Sequence, residues 1–268
     1  MENLFVFIVL AIIQGITEPI PVSSSGHLVI AKHLFGLQTT DATLEILLHA
    51  GSLVAIIIYY FKDIKDLFIL GLGYFIKPTK QKQPYFLYGL KLIVATIPAA
   101  VIGLLFKDTL EASLNSPKFA GAFLLYTALI LYIASRIRPK KTSKEFGFKN
   151  AFLTGLAQAV ALLPGVSRSG STNAASLIQG YDTDTSMRFA FLMFIPIALV
   201  VILGGIPDML ANPDFGSLFI PYMIAMVISG VVTYYAIKLF KIVLLKRKLH
   251  YFAYYCVCIG IFTLLFIG

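Results

Sequence analysis

Gln14 and Glu18 lie four residues apart, so a helix running through them presents both side chains on one face. Just downstream the chain reads Ser23-Ser24-Ser25-Gly26-His27. A second polar run, Pro164-Gly165-Val166-Ser167-Arg168-Ser169-Gly170-Ser171-Thr172, follows far along the sequence. A carboxylate, an imidazole, a guanidinium and a set of hydroxyls are the parts of an oxyanion site. Arginine offers a planar fork to phosphate oxygens, and serine hydroxyls with N–H groups at a helix start add neutral donors. The anion this set suits is a phosphate. The competing readings are structural: Glu18 and Arg168 as a buried ion pair, and His27 as a hydrogen-bonded core histidine.

These residues stand in an unusually apolar chain. Of 268 residues, 58% are hydrophobic and 13% charged, with a mean hydropathy of +0.85. Soluble domains carry roughly 25% charged residues, and a chain this apolar could not cover a water-facing surface. A soluble enzyme is excluded, and lipid is the solvent of the apolar excess. Cys256 and Cys258 sit two apart in an apolar run; they are too few for a disulfide framework, have no partners for a zinc site, and read as packing residues. The 22 Phe and 14 Tyr, with no Trp, serve packing and interfacial belts.

A spanning helix needs about 20 mostly apolar residues. Six stretches qualify, at about 44–61, 85–106, 119–137, 187–207, 218–240 and 250–267. The apolar pieces at 4–13, 28–36, 64–76, 151–163 and 172–180 are too short and read as re-entrant or interfacial segments. The first of these does not read as a signal peptide, because Glu2 stands where a basic region would and Gln14 to Glu18 where a small-residue cleavage site would, so it is expected to stay in the mature protein.

The net charge of +9 is an orientation code rather than a nucleic-acid signal. Sixteen of the 22 basic residues crowd three connections: Lys62 to Lys82, Arg136 to Lys149, and Lys238 to Lys248. The connections at 107–118 and 208–217 carry Asp108, Glu111, Asp208 and Asp214 against only Lys107 and Lys118, which places them outside. Six spans then alternate with both termini outside, and Ile64 to Ile76 lies on the inner surface as an amphipathic helix.

An offset of 144 aligns the two polar runs, with Gln14/Gln158, Val22/Val166, Ser23/Ser167, Ser25/Ser169, Gly26/Gly170, Ala31/Ala175 and Gly36/Gly180 identical. Each run is a Pro/Gly/Ser-rich break between two short apolar pieces, as in a helix that enters the membrane and turns back. By the charge assignment one break is entered from outside and the other from inside. The expected fold is therefore an all-α polytopic membrane protein, a single domain over 1–268. It has six transmembrane helices plus two re-entrant helix pairs in an inverted-topology repeat with halves at about 1–137 and 138–268. Broken helices at matching positions of such halves point to a binding site near the bilayer midplane, where charged groups signal function.

These motifs together resemble the undecaprenyl-diphosphatase family, the bacitracin-resistance membrane phosphatases that hydrolyse undecaprenyl diphosphate to the monophosphate carrier of cell-wall synthesis. The family's Glu/Gln-x-x-x-Glu motif matches Gln14 and Glu18, and its Ser-Ser-x-Gly-His stretch matches Ser23 to His27. Its Pro-Gly-x-Ser-Arg-Ser-x-x-Thr motif matches Pro164 to Thr172 at every specified position. The resemblance covers essentially the whole chain. It implies a bacterial plasma-membrane enzyme whose site opens to the outer face, which depends on a divalent cation (Mg2+ or Ca2+), acts on a polyprenyl diphosphate lipid and forms homodimers. Gln14 stands where many relatives carry Glu, which removes one metal-binding carboxylate. A second class of lipid phosphatases shares Ser25-Gly26-His27 and Ser167-Arg168, but its second histidine is absent, Ala174 occupying that position.

Roles follow for the proposed chemistry. Arg168 and the loop of Ser167, Ser169, Gly170 and Thr172 hold the diphosphate, with Gln14, Ser23, Ser25 and Gly26 completing the binding set. Glu18 is the candidate metal ligand or base. His27 is the candidate proton relay or nucleophile, and Ser24, three residues away and within reach of His27 on a helix, is the competing nucleophile. Glu45 and His49, another i, i+4 pair, are either an outer layer that orients Gln14 or His27 or an interfacial cap. His33 and His250 sit near segment ends and are given no role. The alternative function is a polyprenyl-phosphate flippase or transporter using the same pocket; it would need the phosphate donors but not the acid and base.

Overall fold

The computed structural model describes residues 2–36, 42–106 and 116–267. Lys107, Asp108 and Glu111, on which the placement of one acidic connection rests, lie outside the described residues. The described chain is helical, with no strand beyond an isolated bridge between Lys141 and Tyr181. In order, α1 is Glu2–Thr17, α2 Ser24–Leu34, α3 Ala42–Tyr59, α4 Phe61–Asp66 and α5 Gly73–Ile76, with a π-helical turn, Leu67–Leu72, between the last two. Then come α6 Gln83–Leu105, α7 Pro117–Arg136, α8 Phe148–Val160, α9 Arg168–Ile178, α10 Thr183–Ala211, α11 Phe219–Leu245 and α12 His250–Phe266.

Four of these, α6, α7, α10 and α11, are long and apolar enough to cross a membrane. The stretch expected as a span at 44–61 is α3, which meets the following Phe61–Ile76 segment at a 75° bend, and the two together make a fifth candidate if they are one span. The stretch expected at 250–267 is α12, a shorter apolar helix of 17 residues. The protein is thus a multi-pass membrane protein of four to five candidate spans. Its long helices turn large apolar side chains outward, among them Ile93, Leu203 and Val227, as lipid-facing surfaces require.

The helices pack where small or hydroxylated residues let backbones approach, the usual device where lipid supplies no hydrophobic drive. A Cβ on Gly51 of α3 would lie 2.1 Å from the carbonyl oxygen of Met226 in α11. At the next residue, Ser52 Oγ lies 2.9 Å from Thr233 Oγ1 and 3.1 Å from Ser229 Oγ across the same seam. The basic ends are tied by Arg188–Asp63 at 2.7 Å and Lys241–Asp184 at 3.1 Å.

The two polar breaks end in matching caps. Ser23 Oγ accepts the Gly26 N–H at 3.2 Å to open α2, and Ser167 Oγ accepts the Gly170 N–H at 3.0 Å to open α9. In each, the cap hydroxyl lies 3.3 Å from the serine two residues on, Ser25 or Ser169. These are serine N-caps satisfying helix-start donors. Neighbouring helices repeat the relation, since α1 packs on α11 and α8 on α6. The first break also joins two apolar cores: Ile20 and Val22 belong to the one containing Leu124, Phe189 and Phe240, while Leu28 and Ala31 belong to the one containing Leu10, Leu48 and Tyr222.

Candidate functional site

Glu18 follows the end of α1 and is 6% exposed. Its Oε2 accepts from Gln14 Nε2 at 2.8 Å and from Ser24 Oγ at 2.5 Å, and its Oε1 lies 3.6 Å from Arg168 Nη2. One carboxylate therefore joins the last turn of α1, the first turn of α2 and the first turn of α9. The expected helical pair of Gln14 and Glu18 forms, and the sequence-distant Arg168 meets them.

Arg168 also lies over the ring of Phe194 in α10, its guanidinium carbon 4.9 Å from the ring centroid. This stacking suits a planar, weakly hydrated cation and orients the fork. A narrow cavity beside it is lined by Glu18, Ile56, Gln158, Arg168, Ser169, Thr172, Ala190, Phe191 and Phe194.

The second break is fixed in place by α7. Thr127 of α7 donates its hydroxyl to the Gly165 carbonyl at 3.0 Å and accepts the Ser167 N–H at 3.0 Å. Gly165 has φ +89, and a Cβ there would lie 2.4 Å from the Ala120 carbonyl oxygen. Both the backbone conformation and the space demand glycine. Ser23, opening the other helix, carries φ +70 without being glycine, a conformation that costs energy and persists where surroundings dictate it.

The remaining expected residues divide. Ser25 and Ser169 flank the caps, with Ser169 Oγ also 3.4 Å from the Ile20 carbonyl. Thr172 lines the cavity, while its hydroxyl donates back to the Arg168 carbonyl at 2.9 Å. Ser24 and His27 do not bond each other as their spacing suggested. His27 Nδ1 lies 2.8 Å from the Ser23 carbonyl, so Nδ1 carries the proton and donates. Its Nε2 then accepts from Tyr255 O–H at 2.8 Å, and the two rings stack at 5.5 Å. Ser24 is left to Glu18.

Glu45 and His49 separate too. His49 Nδ1 lies 3.0 Å from Gln14 Nε2 and 3.5 Å from Glu18 Oε2, so it joins the site directly. The carboxylate fixes the Gln14 amide with its NH2 inward, and His49 Nδ1 accepts from it. Glu45 instead pairs with Lys32 of α2, touching neither Gln14 nor His27 through any of its described bonds. Tyr255, Phe194, Lys32 and Gln158 were not singled out as site residues by sequence. Only Gln158 carried a signal, its match to Gln14 across the repeat.

The offset of 144 sets Arg168 opposite Ser24, Leu162 opposite Glu18 and Ser171 opposite His27. The serine caps are duplicated at this offset, whereas Glu18, His27 and Arg168 have no like residue opposite them. Charged and polar side chains gathered at two helix breaks, among helices long enough to cross a bilayer, define a multi-pass membrane protein with a buried polar cluster. Residues 7–262 match the family model described as bacitracin resistance protein BacA, and the chain belongs to that family. It is 40% identical over 261 residues to undecaprenyl-diphosphatase 2 of Bacillus thuringiensis, covering 97% of each chain. It is 38% identical over 263 residues to undecaprenyl-diphosphatase of Oceanobacillus iheyensis (97% of this chain, 96% of the relative). To undecaprenyl-diphosphatase 1 of Halalkalibacterium halodurans it is 36% identical over 258 residues (96% and 94%).

Proposed function

We propose that this protein hydrolyses undecaprenyl diphosphate to undecaprenyl phosphate and inorganic phosphate, recycling the lipid carrier of cell-wall synthesis. The observation that carries the reading is the single carboxylate of Glu18, with Ser24 Oγ at 2.5 Å on one oxygen and Arg168 at 3.6 Å from the other. A nucleophile, its base and an anion clamp thereby converge on one point.

The terminal phosphate enters by taking N–H groups of Arg168 that now face Glu18. Ser24 Oγ attacks the terminal phosphorus while its proton passes to Glu18, and the bond to the bridging oxygen breaks; Glu18 hands that proton to the departing undecaprenyl phosphate and is a free carboxylate again. Water then hydrolyses the phosphoserine, with Glu18 as its base, and frees phosphate. Most of the catalysis in such a transfer is positioning and charge stabilisation, which Arg168 and the N–H groups opening α9 supply. His27, with both ring nitrogens engaged, acts as a strut for α2 rather than as the nucleophile.

Among the described residues no three His, Cys, Asp or Glu side chains group as metal ligands. The donors fit a cation shared with the substrate: Glu18 offers a carboxylate, and Gln14 Oε1 is buried without a partner among the described residues. Magnesium is commonly held by one or two carboxylates together with substrate phosphates. When bound there, such a cation would neutralise charge on the diphosphate.

The membrane arrangement we propose has six spans, with α3 and α12 added to the four long helices, and α1–α2 and α8–α9 as re-entrant pairs of an inverted repeat. Both termini and the mouth of the site face outside. Supporting this are the matching caps, the parallel packing relations and the basic residues gathered on three connections.

Phosphate release from purified protein given a C15 or C55 prenyl diphosphate, with and without EDTA, tests the reading. Release with Mg2+ or Ca2+ is expected; its absence would favour a polyprenyl-phosphate carrier.

A further inference from the structure

We propose that Gln158 is a substrate-binding residue, its amide N–H donating to a non-bridging oxygen of the diphosphate that Arg168 clamps. The proposal rests on the phosphatase reading of this site and adds a group to it. Gln158 is 1% exposed and lines the cavity with Glu18, Arg168, Ser169 and Thr172. Its Nε2 is shut away from solvent and meets no hydrogen-bond partner among the described residues.

A buried amide placed for structure alone is normally paired. Even the part-buried amides of Asn150 in α8 and Gln179, just past the end of α9, are paired, bonding each other at 2.8 Å. Gln14, the repeat counterpart, also spends its NH2, on Glu18 at 2.8 Å and His49 at 3.0 Å. Gln158 has no such acceptor because Leu162 stands where the first half has Glu18. The second half thus keeps the donor and lacks the carboxylate, which is the arrangement an incoming phosphoryl oxygen would complete. Other unpaired polar atoms occur on α9, at Ser171, Asn173 and Ser176, but none of those residues lines this cavity.

The substitution Gln158→Met keeps the length of the side chain and removes the donor. Replacing an unpaired buried amide by an apolar group is neutral or stabilising for the fold, so structure and binding predict different results. In purified full-length protein with farnesyl diphosphate, kcat/KM for phosphate release should fall at least tenfold. The inhibition constant for inorganic pyrophosphate should rise by a similar factor, with the melting temperature unchanged or higher. Gln158→Glu, which sets a negative charge against the phosphate, should be more damaging than Gln158→Met. The role is overturned if Gln158→Met keeps kcat/KM and pyrophosphate inhibition within twofold of wild type, or loses activity only with a lowered melting temperature and unchanged inhibition. A wild-type protein that released no phosphate would overturn the phosphatase reading itself; an active wild type with an indifferent Gln158→Met overturns only the role of Gln158.

Discussion

Gly26 lies against Gly165: a Cβ built on Gly26 would come within 3.1 Å of the Gly165 Cα. The contact has a counterpart, since a Cβ on Gly170 would come within 3.2 Å of the Pro21 Cβ. Moving each residue by the offset of 144 turns one contact into the other, so the two breaks grip each other through a reciprocal pair of close approaches. This grip sets the distance between Glu18 beside one break and Arg168 on the other.

Gly165→Ala should loosen that grip. The positive φ costs an alanine about 1–2 kcal/mol, and the clash with the Ala120 carbonyl adds overpacking of about 1–3 kcal/mol. The expected result is a lower melting temperature in detergent together with reduced hydrolysis. An alanine variant with wild-type melting and turnover would show that the break can shift freely.

Arg168→Lys separates charge from shape. A lysine still offers Glu18 a positive partner, so folding should hold, but it presents a point charge and cannot make the forked, stacked geometry. We expect kcat/KM to fall by about 10- to 100-fold, the scale of one or two lost charge-assisted hydrogen bonds. Normal hydrolysis by this variant would refute the clamp.

Much of the candidate site is legible in the sequence. The two polar runs, their offset and the helical pair of Gln14 and Glu18 are local features, and local spacing transmits directly into a helix face or a cap. What local spacing could not reach was the choice among partners. Ser24 and His27 are well spaced to meet, yet a helical side chain leans toward the N-terminus, and the His27 ring turns back onto the Ser23 carbonyl while Glu18 takes the serine. Glu45 and His49 share a helix face, but Lys32, from another helix, draws the carboxylate away. Tyr255 is 228 residues from His27, and no pattern in an apolar helix marks it. The bend after Tyr59 is hidden for another reason: hydropathy reports how apolar a stretch is and says nothing of where its helix turns.

Ser24 and His27 can now be ranked by experiment. Ser24→Ala should lower turnover by about 10³-fold or more, as loss of a nucleophile does in other hydrolases, while leaving the fold intact. His27→Ala should cost less activity and more stability, because it strips hydrogen bonds from Ser23 and Tyr255, each worth about 0.5–1.5 kcal/mol. Tyr255→Phe should reproduce part of the stability loss with turnover within tenfold of wild type. Turnover and thermal melting of the three variants, measured side by side, check the order; a His27→Ala protein that is stable but inert would reverse it.

Gln14→Glu tests how the site handles a cation. The present amide donates to both Glu18 and His49, and a glutamate can donate to neither while ionised. Two carboxylates four residues apart on one helix face would repel each other, so without added cation the variant should melt at a lower temperature than wild type. A divalent ion relieves that repulsion and gains a second carboxylate ligand. Hydrolysis should therefore reach half its maximal rate at a Mg2+ or Ca2+ concentration at least several-fold lower, and the melting temperature should rise more steeply with cation than in wild type. If cation titrations of the two proteins superimpose in both rate and melting temperature, Gln14 does not face the ion, and its unpaired Oε1 needs another explanation.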